Sequence, residues 1–103
     1  MELGLHGKVA IVTGASQGIG KAIAEELAAE GVHLALGARR AAVLTAVAQT
    51  IQHRTDVQVL PVAVDLSTLE GVRTLTRETL ERFGTVDIVV NNAGAIRDSS
   101  PMQ

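Results

Sequence analysis

Lys8–Gly20 reads KVAIVTGASQGIG, an apolar run that ends in a threonine and passes into three glycines. Val9, Ala10, Ile11 and Val12 are consecutive and apolar, so neither face of an extended segment can be turned to water. The run therefore predicts a strand buried between two layers, at the centre of a sheet. After Thr13 the glycines fall as Gly14-x-x-x-Gly18-x-Gly20, and Ile19, Ile23 and Leu27 at once take up a helical spacing. The stretch reads as a strand, a tight turn and a helix.

Glycines at this spacing let the main chain turn sharply and approach a bulky ligand with no Cβ between them. The helix that follows presents unpaired N–H groups and the positive end of its dipole, which suits a pyrophosphate. Two other glycine patterns fit less well. A triphosphate loop needs Gly, four residues, then Gly-Lys-Ser/Thr. Gly20 and Lys21 are present, but Ala15 stands in place of the first glycine and Ala22 in place of the hydroxyl that would hold magnesium. The pattern G-x-G-x-x-G starts in register at neither Gly14 nor Gly18. A tight strand-to-helix turn with no ligand would use the same letters, so this stretch alone leaves both readings open.

A chain of 103 residues has room for one domain, burying about two-thirds of its unfolded surface. Apolar residues make up 47% and the formal charge is −2, a balance that argues against a disordered chain and against nucleic acid as a partner. There is no cysteine, hence no disulfide framework and no thiolate metal site, and no metal is expected. The opening MELGLHGK lacks the apolar core of a signal peptide. No run approaches the ~18 apolar residues of a membrane span. The expectation is a cytoplasmic protein with no membrane partner.

The first helix is expected over Gly18–Glu30, with Ile19, Ile23 and Leu27 on its buried stripe and Gly31 as its stop. Val32–Ala38 (VHLALGA) is a second strand, followed by Arg39 and Arg40. An acidic residue near this point would bond the 2′-hydroxyl of an adenosine ribose. Val32–Val43 contains no Asp or Glu and offers two guanidiniums instead, which suits a 2′-phosphate and favours NADP(H) over NAD(H). An exposed arginine pair opening a helix is the plainer alternative.

Val43, Leu44, Val47, Ala48 and Ile51 predict a second helix over Ala41–His53, and Val57–Val64 (VQVLPVAV) a third strand. Pro61 places that strand at a sheet edge, as the doubly wound order 3-2-1-4 requires. Asp65 ends it, either to accept a bond from an adenine amino group or to begin the turn. Ser67-Thr68-Leu69-Glu70 matches a capping box, with Ser67 as cap and Glu70 reaching back. A third helix is expected with Val72, Leu75, Leu80 and Phe83 inside and Gly84 at its end. Val86–Val90 (VDIVV) reads as a fourth strand, apolar enough to be central, leading into Asn91-Asn92-Ala93-Gly94. In that strand Asp87 is expected to be a packing or hydrogen-bonding position rather than a catalytic one. Ala95–Gln103 is expected to be loop.

Taken together, Thr13-Gly14-Ala15-Ser16-Gln17-Gly18-Ile19-Gly20, Asp65-Leu66 and Asn91-Asn92-Ala93-Gly94, at these separations, closely resemble the N-terminal half of the classical short-chain dehydrogenase/reductase family. The resemblance covers nearly the whole chain. It implies an α/β fold of Rossmann type, a partial doubly wound parallel sheet, with residues 1–103 as a single NAD(P)-binding unit. It implies that Gly14, Ser16, Gln17, Gly18, Ile19 and Gly20 line the cofactor's phosphates and ribose, and that Arg39, with Arg40 beside it, holds the 2′-phosphate. Asp65 and Leu66 would meet adenine, and Asn92, Ala93 and Gly94 would run beside the ribose. Thr13 and Asn91 would tie the first turn to the fourth strand. NAD stays possible, because Gln17 stands where members preferring NADP(H) often carry a basic residue.

The resemblance implies hydride transfer to or from a small carbonyl or alcohol substrate, through a serine and a tyrosine four residues before a lysine. The chain holds no tyrosine, and its only lysines are Lys8 and Lys21, so no catalytic residue is assigned. His6, His33 and His53 are widely separated and read as surface or core positions. The chain is expected to be a truncated piece of a longer reductase, with a non-catalytic dinucleotide-binding module or inactive fragment as the alternative. A sheet in order 3-2-1-4 leaves the outer edge of the fourth strand unpaired. A homo-oligomer or a partner segment is expected to complete it.

Overall fold

All five residues of the first strand, β1 (Val9–Thr13), are buried, as an apolar run with no solvent face demands. The computed structural model describes residues 4–92. From β1 the chain alternates through α1 (Gly18–Ala29), β2 (His33–Ala38), α2 (Ala41–Arg54), β3 (Val59–Ala63), α3 (Leu69–Phe83) and β4 (Ile88–Val90). The strands are parallel and lie in the order β3-β2-β1-β4. This is the doubly wound arrangement read from the sequence, with Pro61 on the outermost strand, where a missing N–H costs least.

Strand periodicity divides the core into two layers. Ala10, Val12, Leu34, Leu36 and Val59 point to one face and pack with Ala24 and Ala28 of α1 and Leu44, Val47, Ala48 and Ile51 of α2. Ile11, Ala35 and Val62 point to the other face and meet Leu75 of α3. Two helices therefore cover one face and one helix the other. Gly37 of β2 permits close approach on the thinner side, since a Cβ there would stand 2.7 Å from Leu75 Cδ2.

Several boundaries and faces differ from the sequence reading. In α1 the fully buried positions are Gly20, Ala24 and Ala28, while Ile19 is 70% exposed and Ile23 and Leu27 are half-buried. The helix lies so near the sheet that only the smallest side chains fit beneath it, and the bulky residues move to its flanks. The predicted cap of α3 is off by one residue. Thr68, not Ser67, is the cap, accepting from the Gly71 amide at 3.0 Å. In α3 Gly71, Leu75 and Thr79 are buried, whereas Val72 is 38% and Leu80 46% exposed. The expected strands at 57–64 and 86–90 contract to Val59–Ala63 and Ile88–Val90.

Among the described residues β4 pairs with β1 alone, and Val89 is 64% exposed. Among the described residues it therefore lies at the edge of the sheet, where its apolar letters predicted a central position. Below it, Asp87 and Val9 bond reciprocally, the Asp87 amide to the Val9 carbonyl at 2.8 Å and the Val9 amide to Asp87 Oδ2 at 2.9 Å. Asp87 thus holds the hydrogen-bonding place expected of it.

Candidate dinucleotide site

The carboxyl ends of the strands bring together most of the residues singled out in the sequence. Leaving β1, the chain turns through Gly14 and Gly18, whose φ values of 65° and 63° lie in the left-handed region that favours glycine. The amides of Gly14 and Ala15 both reach the Gly37 carbonyl, at 2.9 and 3.4 Å, so the turn is fastened to the tip of β2. At Gly20 a Cβ would overlap the Gly14 carbonyl and stand 2.8 Å from Asn92 Nδ2. The first turn of α1 therefore sits directly against the turn and the end of β4.

No side chain caps that helix. Gln17 occupies the cap position with extended backbone and no side-chain bond, and the first turn carries no acidic residue. Gln17, Gly18 and Ile19 are exposed and Ser16 is half-buried. Among the described residues nothing lies within 4 Å of where a Cβ on Gly18 would stand. The open, electropositive end of α1 thus faces free space, and the exposed Ile19 adds an apolar surface beside it.

Thr13 joins the turn to the far strand. Its hydroxyl donates to Asn91 Oδ1 at 3.0 Å and accepts from the Asn92 amide at 2.7 Å. The pairing of Thr13 with Asn91 expected from the sequence is present, and it sets the height at which Asn92 leaves β4. Ala93 and Gly94, also expected here, lie outside the described residues, as does the tail 95–103.

Arg39 and Arg40 are both exposed, and Arg40 is the cap residue of α2, again without a side-chain bond. Asp65 begins the turn into α3: its Oδ1 accepts from the Ser67 amide at 2.9 Å and the Ser67 hydroxyl at 2.6 Å. Those two bonds hold the Asp65 carboxyl below the ordinary aspartate range, slight desolvation opposes them, and the Arg39 cation adds to the lowering. Leu66 turns inward, half-buried against the Ile11–Ala35–Val62–Leu75 layer.

Two contributors escaped the sequence reading. The Gly37 carbonyl is a backbone group and leaves no trace in the letters. Ser67 as partner of Asp65 was legible in the spacing Asp-x-Ser, a common local side-chain bond, but the adjacent capping-box pattern claimed the same serine. The histidines stay apart from this edge. His33 Nδ1 accepts from the Gln58 amide at 3.0 Å and its ring stacks on Phe83, at the opposite end of the sheet.

Residues 8–103 match the short chain dehydrogenase family. The chain belongs to that family. It is 45% identical over 96 residues to an uncharacterized oxidoreductase of Staphylococcus saprophyticus, covering 93% of this chain and 41% of that protein. L-sorbose reductase from Gluconobacter frateurii, solved with NADPH and L-sorbose, superposes with a TM-score of 0.89 at 45% identity, over 100% of this chain and 39% of the reductase. An alcohol dehydrogenase from Thermococcus sibiricus, solved with 5-hydroxy-NADP, gives a TM-score of 0.77 at 46% identity over 80% of this chain and 35% of that one. The chain thus spans about two-fifths of the length of the Staphylococcus saprophyticus oxidoreductase and of the sorbose reductase. Among the described residues no helix is long and apolar enough to cross a membrane.

Proposed function

We propose that this chain is the NADP(H)-binding unit of a short-chain dehydrogenase/reductase, a single unit over residues 1–103. The observation that carries the reading is the uncapped first turn of α1, set against glycines in left-handed backbone and lying at the same sheet edge as Arg39. The residues present fit such a cofactor. Amides with no side-chain acceptor suit a pyrophosphate, the missing Cβ atoms leave it room, and an exposed guanidinium suits a 2′-phosphate.

In this reading the backbone of Gly14–Gly20, with Ser16 and Gln17, holds the diphosphate. Arg39, assisted by Arg40, holds the 2′-phosphate, and NAD is the weaker alternative. Asp65 and the main chain of Leu66 border adenine, and Asn92, with Ala93 and Gly94, borders the ribose. When bound, the nicotinamide supplies hydride chemistry at a carbonyl or alcohol carbon of a small substrate. The chain's own residues bind and orient the adenosine end. Thr13 and Asp87 fix β4 so that Asn92 keeps its place. The reading also carries a cytoplasmic location and an assembly in which a second copy or partner segment covers the open edge of β4, supported by the exposure of Val89.

Calorimetric titration with NADPH and NADH tests it. The protein is expected to bind NADPH more tightly, and Arg39→Asp is expected to weaken NADPH by at least tenfold while changing NADH little. No heat with either dinucleotide, from folded protein, would refute the reading.

A further inference from the structure

We propose that Ser67 is a positioning residue for cofactor choice: it holds the Asp65 carboxylate on the turn before α3, keeps that charge from closing on Arg39, and so leaves the Arg39 guanidinium available to a 2′-phosphate. The inference rests on the NADP(H) reading above and deepens it.

Strand order brings the two charges out of neighbouring strands. Ala38 of β2 stands opposite Ala63 of β3, and the Val64 amide donates to the Ala38 carbonyl at 2.9 Å. Arg39 therefore follows the end of β2 level with Val64, Asp65 comes one residue later on the neighbouring chain, and both side chains are exposed. An arginine and a carboxylate so placed attract, and a two-bonded pair would form if the carboxylate were free to rotate.

It is not free. The Ser67 amide and hydroxyl both engage Oδ1, at 2.9 and 2.6 Å, and both act on the Asp65 charge more strongly than Arg39 does. The main chain is fixed as well. The Asp65 carbonyl accepts from the Thr68 hydroxyl at 2.9 Å and the Thr68 amide at 3.2 Å. Gly71 packs so closely on that carbonyl that a Cβ would overlap it. Side-chain rotation is the freedom left to Asp65, and the Ser67 hydroxyl opposes it. Without the hydroxyl, Asp65 swings to Arg39, competes with the phosphate for the same N–H groups and repels it.

The test compares NADPH and NADH affinities of the whole protein by calorimetry, since any general loss of fold moves both and cancels in the ratio. Ser67→Ala is expected to lower the NADPH:NADH affinity ratio about threefold, the scale of an exposed ion pair. Ser67→Thr is expected to keep the ratio, and Asp65→Asn added to Ser67→Ala to restore it by removing the competitor. An unchanged ratio in Ser67→Ala, or one that stays low in the double variant, overturns the proposal. A second measurement needs no cofactor. With the Asp65 carboxyl followed by NMR through a pH titration, Arg39→Ala is expected to raise its midpoint more in the Ser67→Ala background than in wild type. Equal rises overturn the proposal. Wild-type protein that binds neither dinucleotide would sink the NADP(H) reading, and the NMR comparison would still decide whether Ser67 separates Asp65 from Arg39.

Discussion

Three helices begin at the carboxyl edge of this sheet, and the first and third of them begin differently. At α3 the first turn is closed: Thr68 accepts from the Gly71 amide, and Asp65 and Ser67 are bonded just before it. At α1 no side chain fills that role, although Ser16 and Gln17 stand where a short polar residue could have served. A capped helix start contributes to stability, and a bare one forgoes about 1 kcal/mol. In the proposed reading the bare start of α1, like that of α2 beside Arg39, is kept for the cofactor, and four substitutions would break or sharpen the contrast with α3.

Gly20→Ala has the largest expected effect, because its Cβ would meet backbone at Gly14 and the Asn92 amide rather than a yielding side chain. Stability is expected to fall by about 1–3 kcal/mol in chemical denaturation, and affinity for both dinucleotides by at least tenfold. A variant as stable as wild type with unchanged affinity would show that the close seat of α1 does not shape the site. Gln17→Asp places a carboxylate at the bare cap. It is expected to stabilise the fold by up to about 1 kcal/mol and to weaken dinucleotide binding about tenfold by repelling the diphosphate. Improved stability with undiminished binding would mean that the open amides serve something else.

Thr68→Ala removes the cap of α3. About 1 kcal/mol of stability is expected to be lost, with any change in affinity measured by calorimetry equal for NADPH and NADH. The smallest effect belongs to Asp65→Asn. The bonds to Ser67 depress the carboxyl's pKa in the folded protein, so the ionised group contributes stability above its unfolded value and loses that contribution as the pH falls through the folded one. The Tm difference between wild type and Asp65→Asn is therefore expected near neutrality and to vanish in acid. A difference that widened on acidification would contradict the assignment.

Strand order, parallel pairing and the edge position of β3 were legible because apolar runs and Pro61 report directly on burial and lost donors. The glycine turn and the Thr13–Asn91 bond were legible as a pattern spread along the chain. The buried stripe of α1 was not. Gly20, Ala24 and Ala28 carry little hydrophobic signal, and it is closeness of packing, not apolar area, that selects them. The start of α3 was ambiguous in kind, since Ser67 and Thr68 are neighbouring hydroxyls and only the claim of Asp65 on the first passes the cap to the second. The edge position of β4 followed from the strand order, whereas its apolar letters alone pointed to the centre.

β4 has three residues and a single strand partner among those described, too little ladder to hold its register by backbone pairing alone. It is pinned at one end by the reciprocal Asp87–Val9 bonds and at the other by Thr13. Alignment of the far wall of the cleft is thus delegated to two polar anchors rather than to the segment between them. Loss of either anchor is therefore expected to loosen the step from residues 88–90 to Asn92 more than a β-branched exchange between them.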